Sequence, residues 1–532
     1  MATCVAGSLL LLLGCGGSTE GSDRSDTVPL DGGADVAADI GADLDREVAP
    51  EPPMPYPAPA DFSAAYTNTG PGGPAVAFEE AALYEHCAYL DGGPADPYDH
   101  HNLVVMFDGY LCMPWAPEFG YGGLTFFDVS DPCNPVQTGY GVDPEMRETH
   151  ALGFAYMEGR WLTVVNHFRD LLTGGVQVWD VTDTAEPKAI APAIFEGFFY
   201  PDAYARVSLS VFFQAPYAYV AAADNGVVIF DMSNPEAPQL VAMRPFEPIL
   251  RAGQIHAIGN LLVVTSAEGA RTALLDISDP ADPQPIPGGD FEIVDADGEP
   301  REAYFSNMYG SHIYYARKEG GGGLIIYDIA DPTSPARVGG YKSDGNGGYV
   351  FVKEGFAFVG ESNFAGVYDV RDPTNITEVT RLDLVGDLDT VTPIGNIAYL
   401  SVDDDAEENK GTAAVPWIGA VDESPPQVSW AWPADGAVQI AVSSRLGLVF
   451  NEMIDPKSAW EGSVRLYETG SDPAATRVDG IFSVQENILN MWPEALEPGT
   501  SYTLELPAGG LRDYNGNALG DTFRLTFRTV GG

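Results

Sequence analysis

Seven stretches of the chain place alternating apolar residues on either side of a tight polar turn: 102–115 (NLVVMFDGYLCMPW), 151–165 (ALGFAYMEGRWLTVV), 209–222 (LSVFFQAPYAYVAA), 254–266 (QIHAIGNLLVVTS), 307–317 (NMYGSHIYYAR), 349–360 (YVFVKEGFAFVG) and 390–402 (TVTPIGNIAYLSV). Side chains at every second position of an extended chain share a face, and Gly or Asn between two such runs lets the backbone reverse, so each stretch predicts a β-hairpin. A third apolar run follows six of the hairpins and ends in Asp before a turn, as in GLTFFDVSDPCNP (Gly123 to Pro135), GVVIFDMSNPEAP (Gly226 to Pro238) and GLIIYDIADPTSP (Gly323 to Pro335). A fourth, such as PARVGGY from Pro335 to Tyr341, completes four short antiparallel strands per unit.

The run-ending aspartates Asp128, Asp180, Asp231, Asp276, Asp328 and Asp369 recur at spacings of 41 to 52 residues, the period of a supersecondary repeat. With no helical segment between units, the fold class is all-β. A four-stranded sheet that is apolar on both faces must be covered on both, and radial closure does this for every copy while removing long edges, so a seven-bladed β-propeller over residues 75–422 is expected. A β-solenoid is the alternative, with coils that are usually shorter and without these hairpins. The seventh unit, through Val415-Pro416-Trp417, lacks the Asp-Pro turn, as a terminal repeat does, and an N-terminal strand near Val76 to Phe78 is expected to complete the ring. The repeated Asp is expected to build turns, by accepting backbone N–H groups, rather than to bind metal or catalyse.

These turns, as in Val129-Ser130-Asp131-Pro132 and Ile277-Ser278-Asp279-Pro280, resemble the LVIVD repeat of bacterial surface propellers, with Thr182-Asp183-Thr184 and Arg371-Asp372-Pro373 as weaker copies. Past Asp422 the pattern changes at Ser424-Pro425-Pro426-Gln427. The remainder, 424–532, resembles the bacterial Ig-like domains of surface-layer and adhesin proteins in Pro433 to Ala437, Leu448-Val449-Phe450 with Glu452, Pro498-Gly499-Thr500 before Tyr502, Asp513 to Asn517 and Phe523 to Phe527. Its length also suits an Ig-like β-sandwich.

The first residues carry an apolar run, Leu9 to Leu13, too short to span a bilayer, followed by Gly14 and Cys15. Leu12-Leu13-Gly14-Cys15 resembles a bacterial lipobox, although no Lys or Arg precedes the run; the resemblance implies a signal segment over 1–15 and acylation of Cys15. Gly16 in place of Asp implies an outer-membrane or cell-surface location. Residues 16–74 are expected to form a disordered acidic tether, since 16–60 holds ten acids against Arg24 and Arg46 and little that could be buried.

Lys and Arg number 26 against 77 Asp and Glu, a net charge of -51 that repels phosphate backbones and anionic headgroups. Nucleic acid is thereby excluded as a partner, and membrane contact is expected through the lipid alone. Of the cysteines past the signal, Cys87, Cys112 and Cys133, two are expected to pair. Cys87 with Cys112 is preferred, because Cys133 stands in a turn that other repeats fill with ordinary residues.

No Walker loop, GxSxG elbow, HExxH, CxxC or recognisable Cys-His pair occurs. His101 and His150 precede the inner strand of their units, and aligned positions hold Arg251, Glu302, Asn346 and Asp387. If those strands line the axis, these six ring one channel mouth as a candidate ligand site. Asp295-Ala296-Asp297-Gly298 and Asp403 to Asp405 with Glu407 and Glu408 have calcium-loop composition without EF-hand spacing. No cofactor is expected, and calcium is the ion left open. The expected function is a lipid-anchored, non-catalytic scaffold for protein or glycan ligands at the cell envelope. The alternative is a propeller-type hydrolase or lactonase with a metal at the channel mouth.

Overall fold

The structure, a computed structural model, describes residues 83–93, 102–116, 121–169, 173–196, 209–318, 320–404, 411–417 and 422–531. Cys15, the acidic tether, Val76 to Phe78 and His101 lie outside the described residues.

Five runs of four consecutive antiparallel strands follow the repeats: Val105–Phe107 to Val136–Asp143, Gly153–Met157 to Lys188–Glu196, Ser210–Gln214 to Gln239–Arg244, Ala252–Ile258 to Gln284–Glu292, and Ala303–Tyr309 to Ala336–Lys342. A seven-stranded sheet completes the series, and in it Thr377–Ile394 works twice. Its first half pairs back with Ser362–Asp369, and its second half pairs forward with Ile397–Asp404. The outermost strand of this sheet comes from far upstream: Ala88–Leu90 pairs with Thr412–Pro416. An N-terminal strand does complete the last repeat, therefore, at 88–90.

The first three strands of each unit are almost wholly buried and the fourth is largely exposed; Val227–Asp231 is covered except at its end, whereas Gln239–Arg244 is exposed or half-buried along its length. Packing on both faces accounts for the near-continuous apolar runs. The apolar clusters join one unit to the next. Phe107 stacks on Phe154 at 4.7 Å, and the same cluster takes in Ile394, Ile397 and Tyr399 from the end of the repeat region, so the series closes on itself. With the inner strands side by side and the sheets fanning outward, the fold is a β-propeller.

The recurrent aspartates build turns as expected. Asp128, Asp180, Asp231, Asp276, Asp328 and Asp369 each accept the backbone N–H two residues on, at 2.8 to 3.1 Å. The turn then serves the neighbouring unit. A Cβ on Gly139 would stand 2.2 Å from the Thr184 carbonyl oxygen, and one on Gly339 would stand 1.8 Å from that of Pro373. Only glycine lets the outer strand approach the next unit's Asp turn so closely.

Cys87 is bonded to Cys133, and Cys112 is a buried free thiol. This corrects the expected Cys87–Cys112 pair. Cys112 lies inside a hairpin strand packed in the core, whereas Cys133 occupies a turn of the first unit that is reached by the closing strand beside Cys87.

The C-terminal module has two sheets. One holds Val428–Trp432, Leu446–Phe450, Ile488–Pro493 and Gly480–Gln485; the other holds Ala437–Ile440, Phe523–Thr529, Ser501–Leu506, Arg465–Glu468 and Arg477–Val478. Leu448, Phe450, Leu466, Leu489, Tyr502 and Leu525 fill the space between. The first sheet does not end at the module. Gly480–Gln485 pairs antiparallel with the propeller strand Gly153–Met157, Ser483 opposite Ala155 and Gln485 opposite Gly153.

Candidate functional site

Every inner strand runs from one mouth of the channel to a hairpin turn at the other, so the two mouths differ in chemistry. The turns meet the Ig-like module. Lys457 pairs with Asp108 at 2.6 Å, Ser429 accepts the Gly310 N–H, and the Asn451 carbonyl accepts the Glu354 N–H. The hairpin turn Gln485-Glu486-Asn487-Ile488 is buried between the inner strands. Gln485 accepts the Phe213 N–H and donates to the Val211 carbonyl, while the Asn487 amide donates to the Met308 carbonyl. Asn490, further along the same hairpin, donates to Ala257 and accepts from Gly259 and Gln214. One mouth is thus stoppered by backbone-directed hydrogen bonds from a single hairpin.

Burial shapes the titration of this seam. It raises Glu486 to about 7 against the weaker opposing bond from Asn307, and raises Asp455 to about 8. Asp513 is likewise lifted to about 7. Burial alone would lower Lys353, but the charges of Glu452 and Asp422 keep its ammonium protonated well above the usual range. Asp422, Glu452 and Asp513 are, among the described residues, the group of three ligands close enough to share a metal ion.

The opposite mouth, where the inner strands begin, is the one expected to carry the ligand site. His150 is buried there, its Nδ1 hydrogen-bonded to the Tyr349 hydroxyl and its Nε2 3.5 Å from Glu148. The Asn102 amide donates to Glu148 at 2.7 Å. The imidazole stacks at 5.0 Å on Phe305, which lies 3.9 Å from Tyr349 and nearly parallel to it. Of the other expected residues, Arg251 is half-buried with Asp224 at 3.6 Å. The Glu302 carbonyl accepts the Lys318 N–H, and the Lys318 ammonium sits 3.9 Å over the Tyr304 ring. Asn346 engages Glu361 and Ser362 through its backbone, and Asp387 is exposed on the long strand opposite Asp404.

The sequence reading therefore reached His150 but missed Asn102, Glu148, Phe305 and Tyr349, which stand one to three positions from His101, His150, Glu302 and Asn346. Successive residues of a strand point to opposite faces, so a register slip of one position selects the wrong side chain. At Asp295, whose loop has calcium-loop composition without the spacing, the carboxylate is held low, at about 2, chiefly by a hydrogen bond from Arg301, and it accepts the backbone N–H groups of Asp297 and Glu299 in a turn.

A propeller whose channel is stoppered at one mouth by a covalently attached Ig-like module is the class that fold and site define. Within it, the chain carries the LVIVD repeat at residues 209–243 and 308–343 and a bacterial Ig-like domain at 422–529. No curated protein matches it. Among solved structures it is similar to a periplasmic gluconolactonase of Pseudomonas aeruginosa at 11% identity and a TM-score of 0.42, over 68% of this chain and 98% of that one. A putative 6-phosphogluconolactonase of Bacteroides uniformis matches at 12% identity and a TM-score of 0.44, over 56% of this chain and 88% of that one. BamB of Moraxella catarrhalis matches at 12% and 0.36, over 59% and 82%. Likeness at this level assigns no activity.

Proposed function

We propose that the protein is a non-catalytic binding scaffold of the cell envelope: a seven-bladed wheel, stoppered on one side by its own Ig-like module, that offers its other mouth to a protein or glycan. Counting the long strand Thr377–Ile394 twice, once in each of two adjacent blades, supports the blade number. The observation that carries the functional reading is the burial of Glu486 and Asn487, which are 4% and 2% exposed, between the inner strands. With one mouth closed by the hairpin, ligands reach the channel from the other side, and the pairing of Gly480–Gln485 with Gly153–Met157 ties the two modules into one body. Acylation of Cys15 would hold that body at the outer membrane or cell surface, as the lipobox-like residues suggest.

A glycan array and a panel of purified envelope polysaccharides, probed with the lipid-free chain, test the reading. Binding that is weakened by Lys318→Ala, a partly exposed residue whose ammonium lies over the buried Tyr304 ring, is the expected result. The pairing of His150 with Glu148 favours the second reading, hydrolysis of a lactone. Turnover of gluconolactone that rises with added divalent metal and disappears in His150→Ala would replace the scaffold with an enzyme.

A further inference from the structure

Asp422, Glu452 and Asp513 reach one spot from three parts of the chain: the connection leaving the propeller, the turn after Leu446–Phe450, and the turn that begins at Asp513. They are 2%, 3% and 0% exposed, and one carboxylate oxygen from each lies within 4.8 Å of the others. The ammonium of Lys353, at the end of the propeller strand Val350–Lys353, sits 2.8 Å from Asp422 Oδ2 and is hydrogen-bonded to Glu452 Oε2. Three carboxylates against one ammonium carry two excess negative charges when all are ionised, and burying them away from water needs compensation, by protons or by a cation.

The oxygens differ in how well they are satisfied. Asp513 accepts the N–H groups of Asn515 and Asn517 and the Asn517 amide, and Asp422 Oδ1 accepts the Ser424 N–H. Glu452 Oε1 is buried at the same spot and has no hydrogen-bond partner. That orphan acceptor distinguishes the seam from an acidic turn, because it calls for a positive ligand on the side that Lys353 does not cover. Oxygens this close can share a cation at about 2.3–2.6 Å from each, the calcium–oxygen distance. The donors are carboxylates only, which suit a hard ion rather than zinc or copper, and a double positive charge cancels the excess.

We propose that the seam binds one calcium ion beside Lys353, on Asp422, Glu452 and Asp513, and that the ion clamps the Ig-like module to the propeller. Its role is independent of what the open mouth recognises. The test uses the full chain, stripped with a chelator at pH 7.5 and titrated calorimetrically with CaCl2, with thermal unfolding followed in parallel. One equivalent stronger than the weak background of an acidic surface is expected, together with a rise in Tm of several degrees. Glu452→Gln should weaken that equivalent about tenfold or more and remove the rise. Glu299→Gln, in a distant exposed loop, should leave both intact. Should Glu452→Gln fail to fold, Asp422→Asn is read in the same way. The proposal is overturned if no such equivalent is found, or if the equivalent and the Tm rise survive in the seam variants. It is also overturned if stability is the same in chelator and calcium, the result for a seam neutralised by protons alone.

Discussion

Glu486 stands at the tip of the stoppering hairpin, with the Asn307 amide donating to its Oε2 at 3.3 Å. Burial raises its pKa from 4.5 to about 7, so the folded state holds a proton that the unfolded chain has already released. The stabilisation is complete below about pH 4.5 and is lost as pH rises toward 7. Across that interval, folding is expected to lose roughly 3 kcal/mol through this one group, at 1.36 kcal/mol per unit. Glu486→Gln should flatten the dependence; urea melts of both proteins at pH 5 and 7.5 check it, and equal slopes would refute the assignment. At this scale the turn aspartates were legible, because an Asp accepting the N–H two residues on needs only its own neighbours. Tyr349 and Phe305 were not, since they meet His150 from segments far apart in sequence.

The strand Ala88–Leu90 is the element on which closure depends. It covers the edge of Thr412–Pro416, and Cys87 beside it is bonded to Cys133 in the first unit, across a sequence separation of 46. Removing the bond with the double variant Cys87→Ser, Cys133→Ser is expected to cost about 2–4 kcal/mol, chiefly by freeing the unfolded chain. Hydrogen exchange should then quicken first at 412–416. Unchanged exchange there would show that the strand holds without the bond. That some N-terminal strand completes the ring was readable from the missing seventh Asp-Pro turn, but its position was not. A three-residue strand has too little alternation to stand out, and its register is set by the edge it joins.

At the scale of the whole molecule, two modules share a sheet and a polar seam. Asn490 satisfies Ala257, Gly259 and Gln214 at 2.8 to 2.9 Å, all buried. Asn490→Ala removes its bonds to the Ala257 carbonyl and the Gly259 N–H, while the Gln214 amide keeps the Gly259 carbonyl, and is expected to cost about 2 kcal/mol, since buried groups that lose a bond carry a desolvation penalty. Denaturant unfolding measures the loss, and hydrogen exchange at 257–260 localises it. A change below 0.5 kcal/mol would mean that the seam contributes little to stability.

What the sequence by itself determined is the repeating unit: hairpin, third strand, Asp turn, and the shift to a second module near Asp422. Those features rest on alternation and turn chemistry, which act between residues close in the chain. Only the tertiary structure decided that Cys87 joins Cys133, that the hairpin at Glu486 enters the channel, and that Lys353 faces Asp422, Glu452 and Asp513. Each of these depends on which faces are brought together when the ring closes and the second module docks. Side chains tens to hundreds of residues apart are thereby brought into contact, and no local pattern encodes their distance.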